Sequence, residues 1–219
     1  MNIKLLVVTT VAATVIGCSS SNYNTPPYTT YGSESMSSAS MDSRGALSQA
    51  MRKLWADHVV YTRLYIISAV AGSADAQPTA ARLLKNQEDI GNAIVPYYGA
   101  AAGQKLTDLL KQHILIAVDL VTAAKAGDQA KQNDADRRWH ANAADIATFL
   151  SGANPNWSRQ AVLDMLNQHL SLTTKEAVDR LQQNYNDDIP NFDAIFNQAM
   201  MMADTLTSGI VKQFPSKFA

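Results

Sequence analysis

Cysteine occurs once in the 219 residues, at Cys18. A single thiol closes no internal disulfide, so packing must hold whatever fold the chain adopts. An excess of one charge is also missing: 18 Lys and Arg stand against 19 Asp and Glu, a formal net charge of -1. That balance provides no broad basic surface and argues against nucleic acid as a partner. Glycine (10), proline (7) and aromatic residues (7%) are few, a composition that favours helix. No apolar run reaches the about 20 residues that a membrane-spanning helix requires. The sequence has no Gly-rich phosphate loop, Gly-x-Ser-x-Gly elbow or kinase signature, which disfavours nucleotide-dependent chemistry. It also has no His-Glu-x-x-His, no Glu-x-x-His and no cysteine ligand cluster.

The chain starts with Met1-Asn2-Ile3-Lys4, followed by an apolar run from Leu5 to Ile16. One positive charge ahead of about a dozen apolar or small residues is the layout of a secretory signal. Val15-Ile16-Gly17-Cys18 ends the run and resembles the lipobox of bacterial lipoproteins. Gly17 supplies the small residue before the cut; Val15 replaces the commoner Leu, and Ile16 is bulkier than usual. The resemblance implies removal of residues 1–17 and a diacylglyceryl group on the Cys18 thiol. Each buried methylene of such palmitate-like chains contributes about 0.8 kcal/mol, enough in sum to hold a protein on a membrane. Ser19 follows the cysteine where an Asp would signal inner-membrane retention. The implied address is therefore the outer membrane, with the protein facing the periplasm. Ser19 to Ser43 contain nine Ser, three Thr, three Tyr and two Pro. Residues 18–43 cannot bury a core and read as a disordered tether.

From residue 44 to 219, apolar residues recur at three and four positions. The pattern predicts an all-α domain, an antiparallel bundle of about six helices built from three similar helix hairpins. The first helix runs from Arg44 to Ala71, and the second, with Pro78 in its first turn, to Pro96. The third spans Gly103 to Ala126, and the fourth follows Gly127-Asp128 as far as Leu150. The fifth runs from a Ser158 cap to Asn184, and the last opens at Asp187-Asp188-Ile189-Pro190 and stops before Pro215.

Leu54-Trp55-Ala56-Asp57-His58-Val59, Leu109-Leu110-Lys111-Gln112-His113-Ile114 and Met165-Leu166-Asn167-Gln168-His169-Leu170 repeat one pattern. His58, His113 and His169 each lie on or beside an apolar stripe. In the partner helices, Asn86-Gln87-Glu88-Asp89-Ile90 resembles Asn142-Ala143-Ala144-Asp145-Ile146. Asp89 and Asp145 each precede the next histidine by 24 residues, and Asp204 has a similar place in the last helix. Buried carboxylates are costly unless hydrogen-bonded. Either each Asp pairs with a neighbouring His or helix side chain and fixes how hairpins dock, or several of the six converge on a ligand. Imidazole with carboxylate suits a divalent transition metal such as zinc, iron or copper.

Thr173 and Glu176 share the helix face of His169 and read as a polar inner cluster rather than an acid–base pair. Met200-Met201-Met202 point in different directions and read as core filling. Tyr97, Tyr98 and Trp157 fall in the two loops between the repeats. They mark either a binding surface or local packing against helix ends.

The segments Leu54 to Arg63, Asn86 to Gly99, His113 to Gly127 and Gln198 to Phe218 resemble a family of small uncharacterised bacterial helical proteins. Some of these carry an acetylglutamate kinase label. The resemblance implies the helical fold; no residue supports that activity, which needs an α/β fold with phosphate-binding loops. The expected function is an envelope-anchored, non-enzymatic binding or interaction domain. Its ligand would be a metal ion or small molecule held between hairpins, or an envelope protein bound at the aromatic loops. The alternative is a metal-dependent enzyme or metal-binding protein using inward His and Asp.

Overall fold

The computed structural model describes residues 42–219. The expected signal peptide and Cys18 lie outside the described residues, as does the tether apart from Asp42 and Ser43. The described residues form six helices: α1 (Ser43–Ala71), α2 (Ala76–Tyr98), α3 (Ala100–Ala126), α4 (Gln129–Ala153), α5 (Arg159–Leu181) and α6 (Tyr185–Gln213). A short 3-10 turn, Pro215–Lys217, follows, and there is no strand among these residues. None of the helices described is long and apolar enough to cross a membrane.

Local chemistry sets most of the boundaries. Asp42 caps α1, its carboxylate accepting from Gly45 N at 2.6 Å, and Asp128 caps α4 by accepting from Lys131 N at 3.1 Å. α1 and α3 stop at Gly72 and Gly127, whose positive φ angles of 70° and 68° are left-handed turns that glycine adopts without strain. Several boundaries differ from the sequence pattern. α2 continues through Pro96 to Tyr98, because Gly99 N still bonds to Val95 O at 2.9 Å. Only Gly99 then separates α2 from α3, so Tyr97 and Tyr98 are helical residues. α5 ends at Leu181, three residues early, where Gln183 takes a φ of 58°. α6 then starts at Tyr185 with Asp187 and Asp188 in its first turn, where the helix dipole favours acidic groups.

Each helix packs on the next, and α6 closes on α1; α1, α3 and α5 also touch one another. Connections of one to five residues make successive helices antiparallel. The odd-numbered helices therefore meet in the middle, and α2, α4 and α6 stand outside them. α2 and α3 approach closely at paired glycines: a Cβ on Gly91 would meet Gly103 O at 2.6 Å and collide with the Thr107 hydroxyl. The apolar core has two parts. The larger includes Met51, Trp55, Trp139, Leu170 and Ile210; the smaller holds Tyr65, Ile66, Val121 and Ala177. The inward histidines stand where the two meet.

Candidate functional site

His58 lies on α1, thirteen residues before Ala71; His113 lies on α3, thirteen before Ala126; His169 lies on α5, twelve before Leu181. Nearly equal depth on three mutually touching helices that run parallel to one another places the rings in one layer. Each residue is 3% exposed. The His169 ring centre is 5.7 Å from that of His58 and 6.5 Å from that of His113. Trp55 leans on His58 at 5.6 Å and Trp139 on His113 at 5.2 Å. All three rings line a cavity of about 20 Å³, which holds about one water molecule. Burial favours the neutral imidazole and pushes His113 down to about 3 and His169 down to about 4. Burial, reinforced by the two neighbouring histidines, holds His58 well below the ordinary value as well.

The histidine partners are amides, each 29 residues further along the chain. His113 Nδ1 is 2.8 Å from Asn142 Oδ1, and Asn142 Nδ2 donates to Leu109 O at 3.1 Å. The second bond fixes which way the amide points, so His113 Nδ1 carries the proton and donates. Its Nε2, on the opposite ring edge, then holds a lone pair. Gln198 repeats this on α6: its Nε2 donates to Met165 O at 2.9 Å, and it stands beside His169 and favours protonation of that ring. That pair does not reach hydrogen-bond geometry, so His169 Nδ1 and Gln198 Oε1 are both buried without a partner among the described residues. In the first hairpin the work is divided. Asn86 Nδ2 donates to Leu54 O at 3.0 Å, and Gln87 Nε2 lies 3.2 Å from His58 Nδ1. Thr173 and Trp139 also line the cavity, and the Thr173 hydroxyl and Trp139 indole N–H are buried with no partner among the described residues.

The aspartates do not join this layer. Asp89 is bound by Lys85 at 2.6 Å, Asp204 by Arg52 at 2.5 Å, and Asp145 is exposed. The six residues therefore do not converge: the aspartates sit apart from the histidines, on outward helix faces where water or a cation solvates them. As they stand, no three or more His, Cys, Asp or Glu among the described residues are arranged to hold a metal ion.

The aromatic residues are also relocated. Trp157 is 4% exposed, so it belongs to the core rather than to a surface. Tyr98 lies 5.9 Å from Trp157 and 5.3 Å from Phe214, and Tyr97 stacks on Phe218 at 5.8 Å. Tyr98 OH donates to Gln213 Oε1 at 2.8 Å and accepts from Asn154 at 2.9 Å. These rings fasten the C-terminal segment to the ends of α2 and α4.

A second buried polar group was only partly visible in the sequence. Glu176 lies two turns along the same helix face from His169 and meets Arg63 at 2.5 Å. Arg63 also grips Asp188 with two bonds of 3.0 and 2.8 Å, and Arg180 reaches the same carboxylate at 3.1 Å. Glu176 and Asp188 are 1% and 0% exposed. Burial raises the Glu176 carboxyl to about 7 against the pull of Arg63.

No family model, curated protein or solved structure matches the chain. The functional reading therefore comes from the site itself.

Proposed function

We propose that this chain is an envelope-anchored bacterial lipoprotein whose helical domain binds a small ligand at the histidine layer. One observation carries the ligand reading: three buried imidazoles from three helices line one cavity, and among its lining residues Trp139, His169 and Thr173 each carry a buried polar atom with no partner among the described residues. A buried polar group left unpaired costs about 1–3 kcal/mol, so a fold that keeps several together gains from a polar occupant. The cavity admits only a ligand of one or two heavy atoms, since about 20 Å³ corresponds to one water. With Asp89, Asp145 and Asp204 directed elsewhere, the layer offers lone pairs and hydrogen bonds but no carboxylate base, which favours binding over catalysis. The anchor reading is supported by Val15-Ile16-Gly17-Cys18, and Ser19 favours the outer membrane, with the domain in the periplasm.

One experiment addresses both. The protein is extracted from the membranes of its own cells without denaturation and weighed by mass spectrometry, first denatured and then native. The denatured spectrum should show an acylated N-terminus at residue 18, and Cys18→Ser should shift the protein to the soluble fraction. The native spectrum should carry an extra small mass that unfolding releases. An unmodified N-terminus at another residue refutes the anchor. A native mass equal to the denatured one refutes the ligand site.

A further inference from the structure

We infer that the end of the bundle where α1 begins docks on the anionic headgroups of the bilayer that holds the Cys18 lipid. The inference rests on the anchor reading and adds the face that meets the membrane. The near-zero net charge conceals a separation along the bundle. Arg44, Lys105, Lys125, Arg159, Lys212 and Lys217 have no carboxylate partner among the described residues, whereas every other Lys and Arg described is in an ion pair. All of these six except Lys125 lie at one end. The antiparallel succession brings the starts of α1, α3 and α5 to the same end as the close of α6 and the 3-10 turn. Arg44, Lys105, Arg159, Lys212 and Lys217 are all exposed there. Arg159 donates to the Thr148 hydroxyl at 3.0 Å and Lys217 to Pro96 O at 3.1 Å, both neutral acceptors. Within two turns of this end the described carboxylates are Asp42 and Asp164 alone, against five cations. The other end reverses the balance: over the same depth seven carboxylates, Asp179, Asp187 and Asp188 among them, stand against five cations.

The basic end is also the one that the anchor would hold. Asp42, the first described residue, opens α1 there, and Ser19 to Met41 join it to Cys18. A Ser-rich coil of that length would span about 25–30 Å on average. α1 alone, with 29 residues, is about 43 Å long. A lipid at Cys18 therefore keeps the bilayer within reach of the basic end and leaves the acidic end farther off. Attraction to an anionic leaflet fades within a Debye length of about 8–10 Å, so it acts on the end brought close and on no other. Tethering makes the encounter intramolecular, which lets a few unpaired cations suffice. Docking breaks no ion pair, because these five side chains have none among the described residues to give up.

The test uses the protein extracted from its own membranes and reconstituted in vesicles of phosphatidylcholine, alone or with about 30% phosphatidylglycerol. Acetylation of each lysine by a neutral reagent is followed by mass spectrometry. In anionic vesicles at low salt, Lys105, Lys212 and Lys217 should react at least about threefold more slowly than in neutral ones. Lys131, exposed at the other end, should react equally in both. About 0.5 M salt should abolish the difference. Replacing Arg44, Lys105 and Arg159 together by Gln should abolish it at Lys212 and Lys217. Circular dichroism checks that this variant is folded; the comparison of the two lipids in the parent carries the test if it is not. Equal reactivity in both lipids overturns the proposal, as does equal protection of Lys131 or full protection in the folded variant. Protection that is the same in neutral vesicles and indifferent to salt would assign the end to a protein or a second copy of the chain, and also overturns it. An acyl group at residue 18 without charge-dependent protection leaves the anchor standing and removes the docking. An N-terminus without an acyl group removes both.

Discussion

Acidification from pH 7.5 to 5 should remove at least about 2 kcal/mol of stability, and the histidine layer supplies the sign. In the folded chain His113 titrates near 3 and His169 near 4, and His58 lies well below 6.5. In the unfolded chain each returns to about 6.5. Below that pH the unfolded chain takes up protons that the folded chain refuses, so acid favours unfolding. The loss starts near pH 6.5 and, for His113, is complete only near pH 3. Between pH 7.5 and 5, His113 and His169 account for about 2 kcal/mol each, and His58 adds a loss of the same sign.

Glu176 works in the opposite direction. Its carboxyl titrates near 7 when folded and near 4.5 when unfolded. Its contribution is fully present below 4.5 and is lost as pH rises through 7. Over the same interval it returns about 2 kcal/mol on acidification, leaving a net loss of about 2 from His113, His169 and Glu176, which His58 enlarges. Set against the 5–15 kcal/mol typical of a whole domain, that change is easily measured. Urea unfolding of the chain followed by circular dichroism at several pH values gives the slope directly. His113→Gln should flatten it by about 2 kcal/mol over the range, since glutamine takes up no proton. Stability that stays level or rises toward pH 5, or a slope unchanged by His113→Gln, would refute the assignment of three neutral buried imidazoles.

Two further outcomes follow from packing and charge. Gly91→Ala places a methyl group against Gly103 O and the Thr107 hydroxyl; the overpacking should cost about 1–3 kcal/mol, and an unchanged thermal midpoint would show that α2 and α3 are not in close contact there. Arg63→Met leaves Glu176 and Asp188 buried without their shared cation, which should cost about 3–5 kcal/mol in denaturant titration. Adding Glu176→Gln and Asp188→Asn should recover part of that loss, and a single variant as stable as the parent would refute the ion-pair account.

Helix number was legible because the apolar period is regular and because Gly72 and Gly127 sit where a left-handed residue must end a helix. The displaced boundaries depend on contacts remote in sequence. Tyr97 and Tyr98 stay helical where they pack on Phe218 and Phe214, more than a hundred residues away. Gln183 takes a conformation that glycine or asparagine would have advertised, and no such residue marks it. Similarly, Arg63 and Asp188 are 125 residues apart, and nothing local in the sequence joins them.

The histidines were legible from their repeat, but their partners were not, and the reason is a shift of one residue. His58 and His113 are 55 apart, whereas His113 and His169 are 56 apart. Aligning Asn86 with Asn142 uses the second spacing in the first hairpin; the first spacing aligns Gln87 with Asn142. One residue turns a helix by about 100°, enough to exchange an inward face for an outward one. The corrected register makes the repeat a histidine followed 29 residues later by Gln, Asn or Gln. An aspartate at that place would pull each ring toward the imidazolium and bury a charged pair. A neutral amide leaves the ring uncharged, so the choice of Gln87, Asn142 and Gln198 over Asp89, Asp145 and Asp204 keeps three neutral imidazoles in the middle of the bundle.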